Sequence, residues 1–541
     1  MQPLLEGVTE SRGQSETSVG AIRHSVSASD RLRSLWPEWL TLSLYTALVA
    51  FAIPYHEPFV DEAQGWQLAR SLPLTTLFHT YIRYEGSPGL WHFLVWILIR
   101  LHVSYTGLHW ICGAIAVAAT SLFLFKSPFP RYLKLILPFT YFLLFQYAVI
   151  ARNYVLVPLL MYAIALCWKR RPILIALLLG LLANVALHAA VISGGLAIVY
   201  AIVQIREGAV KKGSLRSEFM VSAVLLLSFY AFAIWTAWPP HDLTMSRAVG
   251  GQHSFFIYAI ASLVLGMCQP WLLSIPFWIV IALCFNARRS LLYLLPLPLF
   301  AIFSGIASAN FWHMGLLVPL LICLFWITWP APGSHASAPG SRASRYETAA
   351  YVALIYLAGV QILWSAYSVT YDHFHEYAAD RATAEFLKPL LRNGETIGLT
   401  FLNNPADHAF TDDPQDADYL SIGLLPYFNY NIFANQPYTF WSWSTKNSTE
   451  ALFFKVLPSR PRIVLVEEVK ATPSPLNLNN PKIKLLTGDG YRLTNIFCGT
   501  MPQQLNLRLN GCHLIFQYFG ETKSPPIAMN SLTGTTGYEA R

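Results

Sequence analysis

Two adjacent carboxylates, Asp61 and Glu62, stand in the stretch His56-Glu57-Pro58-Phe59-Val60-Asp61-Glu62-Ala63-Gln64-Gly65-Trp66, just beyond an apolar segment. A carboxylate held in place can take a proton from an attacking hydroxyl. Ala63, Trp66 and Ala69 follow at helical spacing, so 61–72 reads as a helix lying along a membrane surface. Its first turn would carry both acids, where the helix dipole favours negative charge. By residue type alone, an acidic first turn without chemistry is the commoner meaning of such a pair. The next stretch, Tyr81-Ile82-Arg83-Tyr84-Glu85-Gly86-Ser87-Pro88-Gly89-Leu90-Trp91-His92, sets Arg83 and Glu85 on either side of Tyr84, before a tight Gly/Pro turn. A guanidinium beside a carboxylate and aromatic rings can grip a phosphate and stack on a sugar; a boundary anchor with Arg83 reaching toward headgroups fits as well.

Arg152 and Tyr154 lie in Ala151-Arg152-Asn153-Tyr154, between two apolar stretches. A cation there needs an anionic partner or water, and Asp61, Glu62, a ligand phosphate or a lipid headgroup would each serve. His188 interrupts a run of small apolar residues, with Asn184 four positions earlier, which would put both on one helix face. That face can bind substrate or make an interhelical hydrogen bond. Trp238-Pro239-Pro240-His241-Asp242 and Trp312-His313 are weaker polar–aromatic groups. His56, His79, Asp61 and Glu62 could ligate a divalent metal, yet no spacing enforces it, so no metal site is assigned and any cofactor stays unknown. No phosphate loop, dinucleotide fingerprint or zinc-protease motif occurs.

The elements that must position these groups are set by composition. Apolar residues make up 54% and charged residues 12% of 541, about half the charged share of a soluble domain, which excludes a soluble globular enzyme and a disordered chain. The net charge of +8 falls in short clusters between apolar stretches, which argues for topology signals and against nucleic acid. Stretches long enough to cross a bilayer, or nearly so, occur at 36–54, 107–125, 134–150, 154–168, 172–187, 190–205, 218–238, 271–286, 290–309, 313–329 and 348–370. Two shorter ones, 89–101 and 255–268, are ambiguous. Placing Arg31/Arg33, Lys126/Arg131/Lys134, Lys169–Arg171, Arg206–Arg216, Arg288/Arg289 and Arg342/Arg345 in the cytoplasm gives eleven crossings, with thirteen as the alternative. The first outer loop is then 55–88, and everything after Tyr371 is extracytoplasmic.

The expected fold is therefore an all-α polytopic membrane protein with a small C-terminal extracytoplasmic α/β domain. Residues 1–35 read as a disordered cytoplasmic tail, 36–370 as the membrane module and 371–541 as the outer domain. The stretch 331–345 reads as a flexible cytoplasmic linker. In the outer domain, 378–391 reads as an amphipathic helix and 396–401, 462–467, 491–497 and 512–518 as strands. Cys498 and Cys512 are the two cysteines of that domain, and an extracytoplasmic setting lets them form a disulfide.

Asp61-Glu62-Ala63 just after the first span, Tyr84-Glu85-Gly86-Ser87-Pro88-Gly89-Leu90-Trp91 opening an apolar helix, and Ala151-Arg152-Asn153-Tyr154 at an outer turn together resemble the GT-C glycosyltransferases. Within them the chain is most similar to bacterial relatives of protein O-mannosyltransferases and of the lipid A aminoarabinose transferase. The resemblance covers roughly residues 36–330. It implies an inverting transferase of the bacterial inner membrane, using a polyprenyl-phosphate-linked sugar, with the acid of the first loop as base. The aminoarabinose branch carries a Lys in a Glu-Lys-Pro-Pro turn; here the turn is Glu85-Gly86-Ser87-Pro88, so phosphate neutralisation would fall to Arg83 or Arg152. On this reading Asp61 is the base, Glu62 orients Asp61 or binds sugar, and Arg83, Tyr84, Glu85, Arg152, Tyr154 and His188 contact substrate. The acceptor would be a glycan, lipid or protein hydroxyl. A transporter or flippase for a polar or lipid-linked solute is the alternative, but such proteins tend to place charge at mid-bilayer within inverted repeats, and this chain shows no repeat. A scaffold whose outer domain binds an envelope partner is a third reading.

Overall fold

A computed structural model describes residues 35–207, 213–241, 254–307, 309–329, 342–392, 394–402, 420–435, 453, 455–468 and 479–520. The tail, most of the 331–345 linker and most of the 239–254 loop, including Asp242, lie outside the described residues.

The chain is mostly helical, with a small sheet near its C-terminal end. The helical part comprises α1 (Trp36–Tyr55), α2 (Val60–Ser71), α3 (Leu90–Arg100), α4 (Tyr105–Lys126), α5 (Leu156–Cys167), α6 (Pro172–Ala183), α7 (Leu187–Arg206), α8 (Gly213–Ala237), α9 (Phe255–Val264), α10 (Ser274–Ala287), α11 (Pro296–Ala307), α12 (Leu317–Ile327) and α13 (Arg342–Phe374). Among the described residues, five helices are long and apolar enough to cross a membrane: α1, α4, α7, α8 and α13. The other apolar helices, α3 and α9 among them, are shorter. Local chemistry fixes several boundaries. Prolines open α1 and α6 in the first turn, where a missing N–H costs nothing. The Ser104 hydroxyl caps α4 by accepting from the Gly107 N–H.

Three expectations change. The stretch 134–150 is not one helix: Arg131–Ile136 gives way to a 3-10 turn at Leu137–Phe139 and a π turn at Phe142–Gln146. Pro138 has no N–H to continue the ladder, and Thr140 is extended. Asn184 and His188 do not share a helix, because α6 ends at Ala183 and extended Ala186 separates it from α7. Asn184 instead donates to the carbonyls of Gly180 and Phe229. Finally, α2 has no broad surface-facing side: every residue from Glu62 to Ala69 is buried, between α3 and the segment Leu420–Tyr427.

Charged side chains pair off in two groups at one end of the bundle. At the start of α1, buried Glu38 meets Arg131 at 3.2 Å and Lys134 at 3.3 Å. Arg288 pairs with Glu347 near the start of α13 at 2.9 Å. The opposite end, where α1 and α13 finish and α4 begins, carries α2 and the turns at 85–89 and 151–153.

At that end the C-terminal part docks. It consists of α14 (Asp380–Leu390), β1 (Gly398–Leu402), β2 (Ile463–Glu468), α15 (Pro481–Gly488), β3 (Tyr491–Gln503) and β4 (Asn506–Tyr518). The sheet order is β1-β2-β4-β3, with β1 parallel to β2 and the other pairs antiparallel. Side chains alternate along a strand, so β2 serves two cores. Ile463 and Leu465 pack with Ala384 and Leu387 of α14; Val464 and Val466 pack with Ile483 and Leu486 of α15. Cys498 and Cys512 lie opposite each other on β3 and β4 and form a disulfide.

Candidate functional site

Glu62 is the hub on which the site is built. Its side chain is wholly buried. It accepts from the backbone N–H of Phe59 at 2.6 Å and of Ala151 at 2.5 Å, and from the Nε2 of His109 at 3.0 Å. The Nε2 of His56 lies 3.4 Å away, while the Nδ1 of His56 meets Asp372 at 2.8 Å. Burial opposes the carboxylate charge, but hydrogen bonds from His109 and His56 hold Glu62 well below the usual carboxylate range. Burial likewise opposes charge on His56, yet Asp372 and then Glu62 push it up to about 10. One carboxylate thus ties together α2, the end of α1, α4, the 151 turn and α13. With four donors engaged, Glu62 serves to position its neighbours.

Asp61, one residue earlier, points elsewhere, because consecutive helical side chains diverge by about 100°. It meets Arg152 at 2.8 Å, and each side chain keeps 18% of its surface exposed. The guanidinium lies over the Trp312 ring at 4.9 Å and the Tyr154 ring at 5.2 Å. Tyr154 meets His313 edge-on at 5.7 Å, and His313 stacks on His188 at 4.1 Å. The weak sequence signal Trp312-His313 and the expected contact residue His188 therefore belong to one aromatic wall behind Arg152. Flat cation-bearing and aromatic faces beside a carboxylate can hold a phosphate and a sugar together.

Glu85 lies close to the same helix. Its carboxylate accepts from the Nε2 of Gln64, and its other oxygen is 3.8 Å from the Nε2 of His92. The turn that carries it is fixed by Asn153, whose amide donates to Ser87 at 3.3 Å and to the Val185 carbonyl at 2.6 Å. Gly86 sits at φ +56°, a left-handed conformation suited to glycine.

Two expected site residues are placed apart from this group. The Nε of Arg83 donates to the Trp238 carbonyl at 2.9 Å, just past α8. Tyr84 packs into a small apolar cluster with Leu68, Leu72, Leu77 and Ile82. Among the described residues, no group of three or more His, Cys, Asp or Glu side chains is arranged to hold a metal ion.

The docked C-terminal part forms one wall beside the site. Both oxygens of buried Glu57 accept backbone N–H groups, of Ala378 at 2.9 Å and of Arg381 at 2.5 Å. Arg381 donates to the His56 carbonyl. Arg70 of α2 donates to the carbonyls of Phe428 and Leu425, both at 3.1 Å. His109, Asp372, Gln64 and His92 were not picked out from the sequence: His109 and His92 are single histidines in apolar helices, and Asp372 and Gln64 stand among other polar residues. Only Gln64 carried a signal, three positions after Asp61. No protein-family model matches this chain, and the search of curated proteins finds no match either.

Proposed function

We propose that the chain is an integral membrane glycosyltransferase of GT-C type, which moves a sugar from a polyprenyl-phosphate donor to an acceptor hydroxyl at the outer face of the membrane. The observation that carries the reading is the Asp61–Arg152 pair: part-exposed, backed by aromatic rings, and set at one end of an apolar bundle. A lipid-borne donor needs such a place, since its chain stays in lipid and its sugar in water. The donor phosphate would draw the Arg152 guanidinium away from Asp61. Asp61, relieved of its partner, then accepts the proton of the acceptor hydroxyl. The hydroxyl oxygen bonds to the anomeric carbon, the bond from that carbon to the phosphate oxygen breaks, and the configuration inverts. Arg152 offsets the charge growing on the departing polyprenyl phosphate.

The basic clusters suit this orientation. The Glu38/Arg131/Lys134 and Arg288/Glu347 groups would face the cytoplasm, and the end with α2 and the sheet would face outward. The disulfide of β3 and β4 fits an oxidising compartment.

The test uses the full chain in nanodiscs with a synthetic polyprenyl-phosphate hexose, following release of free polyprenyl phosphate. Asp61→Asn should lower turnover by about 10²–10⁴-fold and leave donor binding intact. Arg152→Ala should weaken donor binding as well. Near-normal turnover by Asp61→Asn would remove Asp61 as base; no release or binding of any donor by the wild type would sink the transferase reading.

A further inference from the structure

The polar groups around Glu85 are arranged for a ligand in a way that their contacts with one another do not exhaust. Gln64 and His92 are each about 97% buried, at 3% exposure. Gln64 gives its amide N–H to Glu85, but its Oε1 has no hydrogen-bond partner among the described residues. Neither ring nitrogen of His92 has one; its Nε2 lies 3.8 Å from Glu85. A buried polar atom without a partner is costly, so three in one place call for an explanation. The Glu85 side chain keeps 14% of its surface exposed, against 4% for His92.

Its position relative to the proposed base is fixed twice. Gln64 follows Asp61 by three residues on α2, which puts the two side chains on one helix face, roughly 5–6 Å apart at Cβ. The Glu85 turn is held against the Arg152 turn by the Ser87–Asn153 contact.

We infer that Gln64, Glu85 and His92 form a sugar subsite beside Asp61, which takes a vicinal pair of hydroxyls on the transferred ring. This rests on the transferase reading. The chemistry matches a diol. Glu85 and the Gln64 carbonyl accept two hydroxyl protons, and a His92 ring nitrogen meets a hydroxyl from the other side. A phosphate does not fit, because the carboxylate would repel it; the phosphate belongs with Arg152.

The experiment measures kcat and KM of the full chain in nanodiscs with a polyprenyl-phosphate hexose and its monodeoxy analogues. Hydrogen bonds to a charged group are worth about 10- to 100-fold. Wild type should therefore disfavour one or two adjacent deoxy analogues by that factor in kcat/KM. Glu85→Gln and Gln64→Leu should lose activity on the full sugar while erasing the preference, so that deoxy and full sugars become nearly equal. His92→Phe should do the same at one hydroxyl. A merely structural role would lower all substrates alike and keep the preference. Wild-type turnover with no deoxy discrimination, or discrimination intact in all three variants, overturns the subsite while leaving the transferase standing. Failure of wild type to bind or turn over any donor removes the transferase and the subsite with it.

Discussion

Replacing Glu62 by Gln tests whether the site is held by one buried charge. The change keeps the shape and removes the carboxylate. Four donors converge on it, from Phe59 at 2.6 Å, Ala151 at 2.5 Å, His109 at 3.0 Å and His56 at 3.4 Å. An amide offers one oxygen to them and turns an N–H2 toward the rest. Removing one member of a buried charged set costs about 3–5 kcal/mol. At about 2 °C per kcal/mol for a long chain, the midpoint of thermal unfolding should fall by roughly 6–10 °C. The pH dependence carries its own signature. The Glu62 carboxyl is depressed in the folded chain, so its contribution is present above the unfolded value of about 4.3 and is lost as pH falls below it. His56 is raised to about 10, so its contribution is full below about 6.5 and is lost as pH rises from there through about 10. Both are at full strength together only between about pH 4.5 and 6.5. In Glu62→Gln the acid limb should flatten, and His56 should lose part of its alkaline limb because Asp372 alone remains beside it. Nanoscale fluorimetry of purified protein from about pH 2 to 10 reads both effects. A variant that melts within 2 °C of wild type at pH 6 would refute the hub, and so would an unchanged acid limb. In the double variant with His56→Gln, the losses should fall well short of their sum, since both changes break one network.

Asp380 gives a prediction of opposite sign. Burial pushes its carboxyl well above the usual range, with buried Glu57 nearby and the Nε2 of His513 3.9 Å away. The folded chain binds this proton more tightly than the unfolded one, so stability falls as pH rises above about 4. Asp380→Asn should be no less stable than wild type at pH 6 and more stable at pH 9; greater loss at pH 9 would contradict it. Replacing Cys498 and Cys512 together by Ser reopens a loop closed by a bridge worth about 3 kcal/mol. Limited proteolysis should then cut β3–β4 faster while cleavage elsewhere is unchanged, and an unaltered pattern would count against a structural role for the bridge. For orientation, single cysteines at Thr106 and Arg170 sit at opposite ends of the bundle. An impermeant maleimide on intact cells should label the first and spare the second, and the reverse result would invert the proposed topology.

What the sequence made legible follows from how far each signal reaches. Strands and helices of the C-terminal part announce themselves locally: the β-branched apolar run Ile463–Val466 and the two opposed faces of α14 are set by neighbours a few residues away, and the sheet forms where that run stands. The same holds for α2, whose alanines and Trp66 repeat at helical spacing. Span counting fails for a related reason. Apolar composition is shared by a helix that runs 20 residues and by 134–150, where one proline and an extended Thr140 break the ladder without changing hydropathy.

The site is legible only in part, because its residues acquire meaning from partners far along the chain. Asp61 and Arg152 were each marked by a charge that needed explaining, and 91 residues separate them. Glu62 read as the secondary acid, orienting Asp61 or binding sugar; what sets it apart from Asp61 is the company of His109, Ala151 and His56, all three from outside α2. Asp372 lies 316 residues from the histidine it holds. Adjacent carboxylates on a helix must diverge, so one can turn inward as an anchor only if the other turns outward. The pair Asp61-Glu62 is therefore one device: the buried acid fixes the helix against the Arg152 turn, and that fixed backbone is what keeps the exposed acid within reach of the guanidinium.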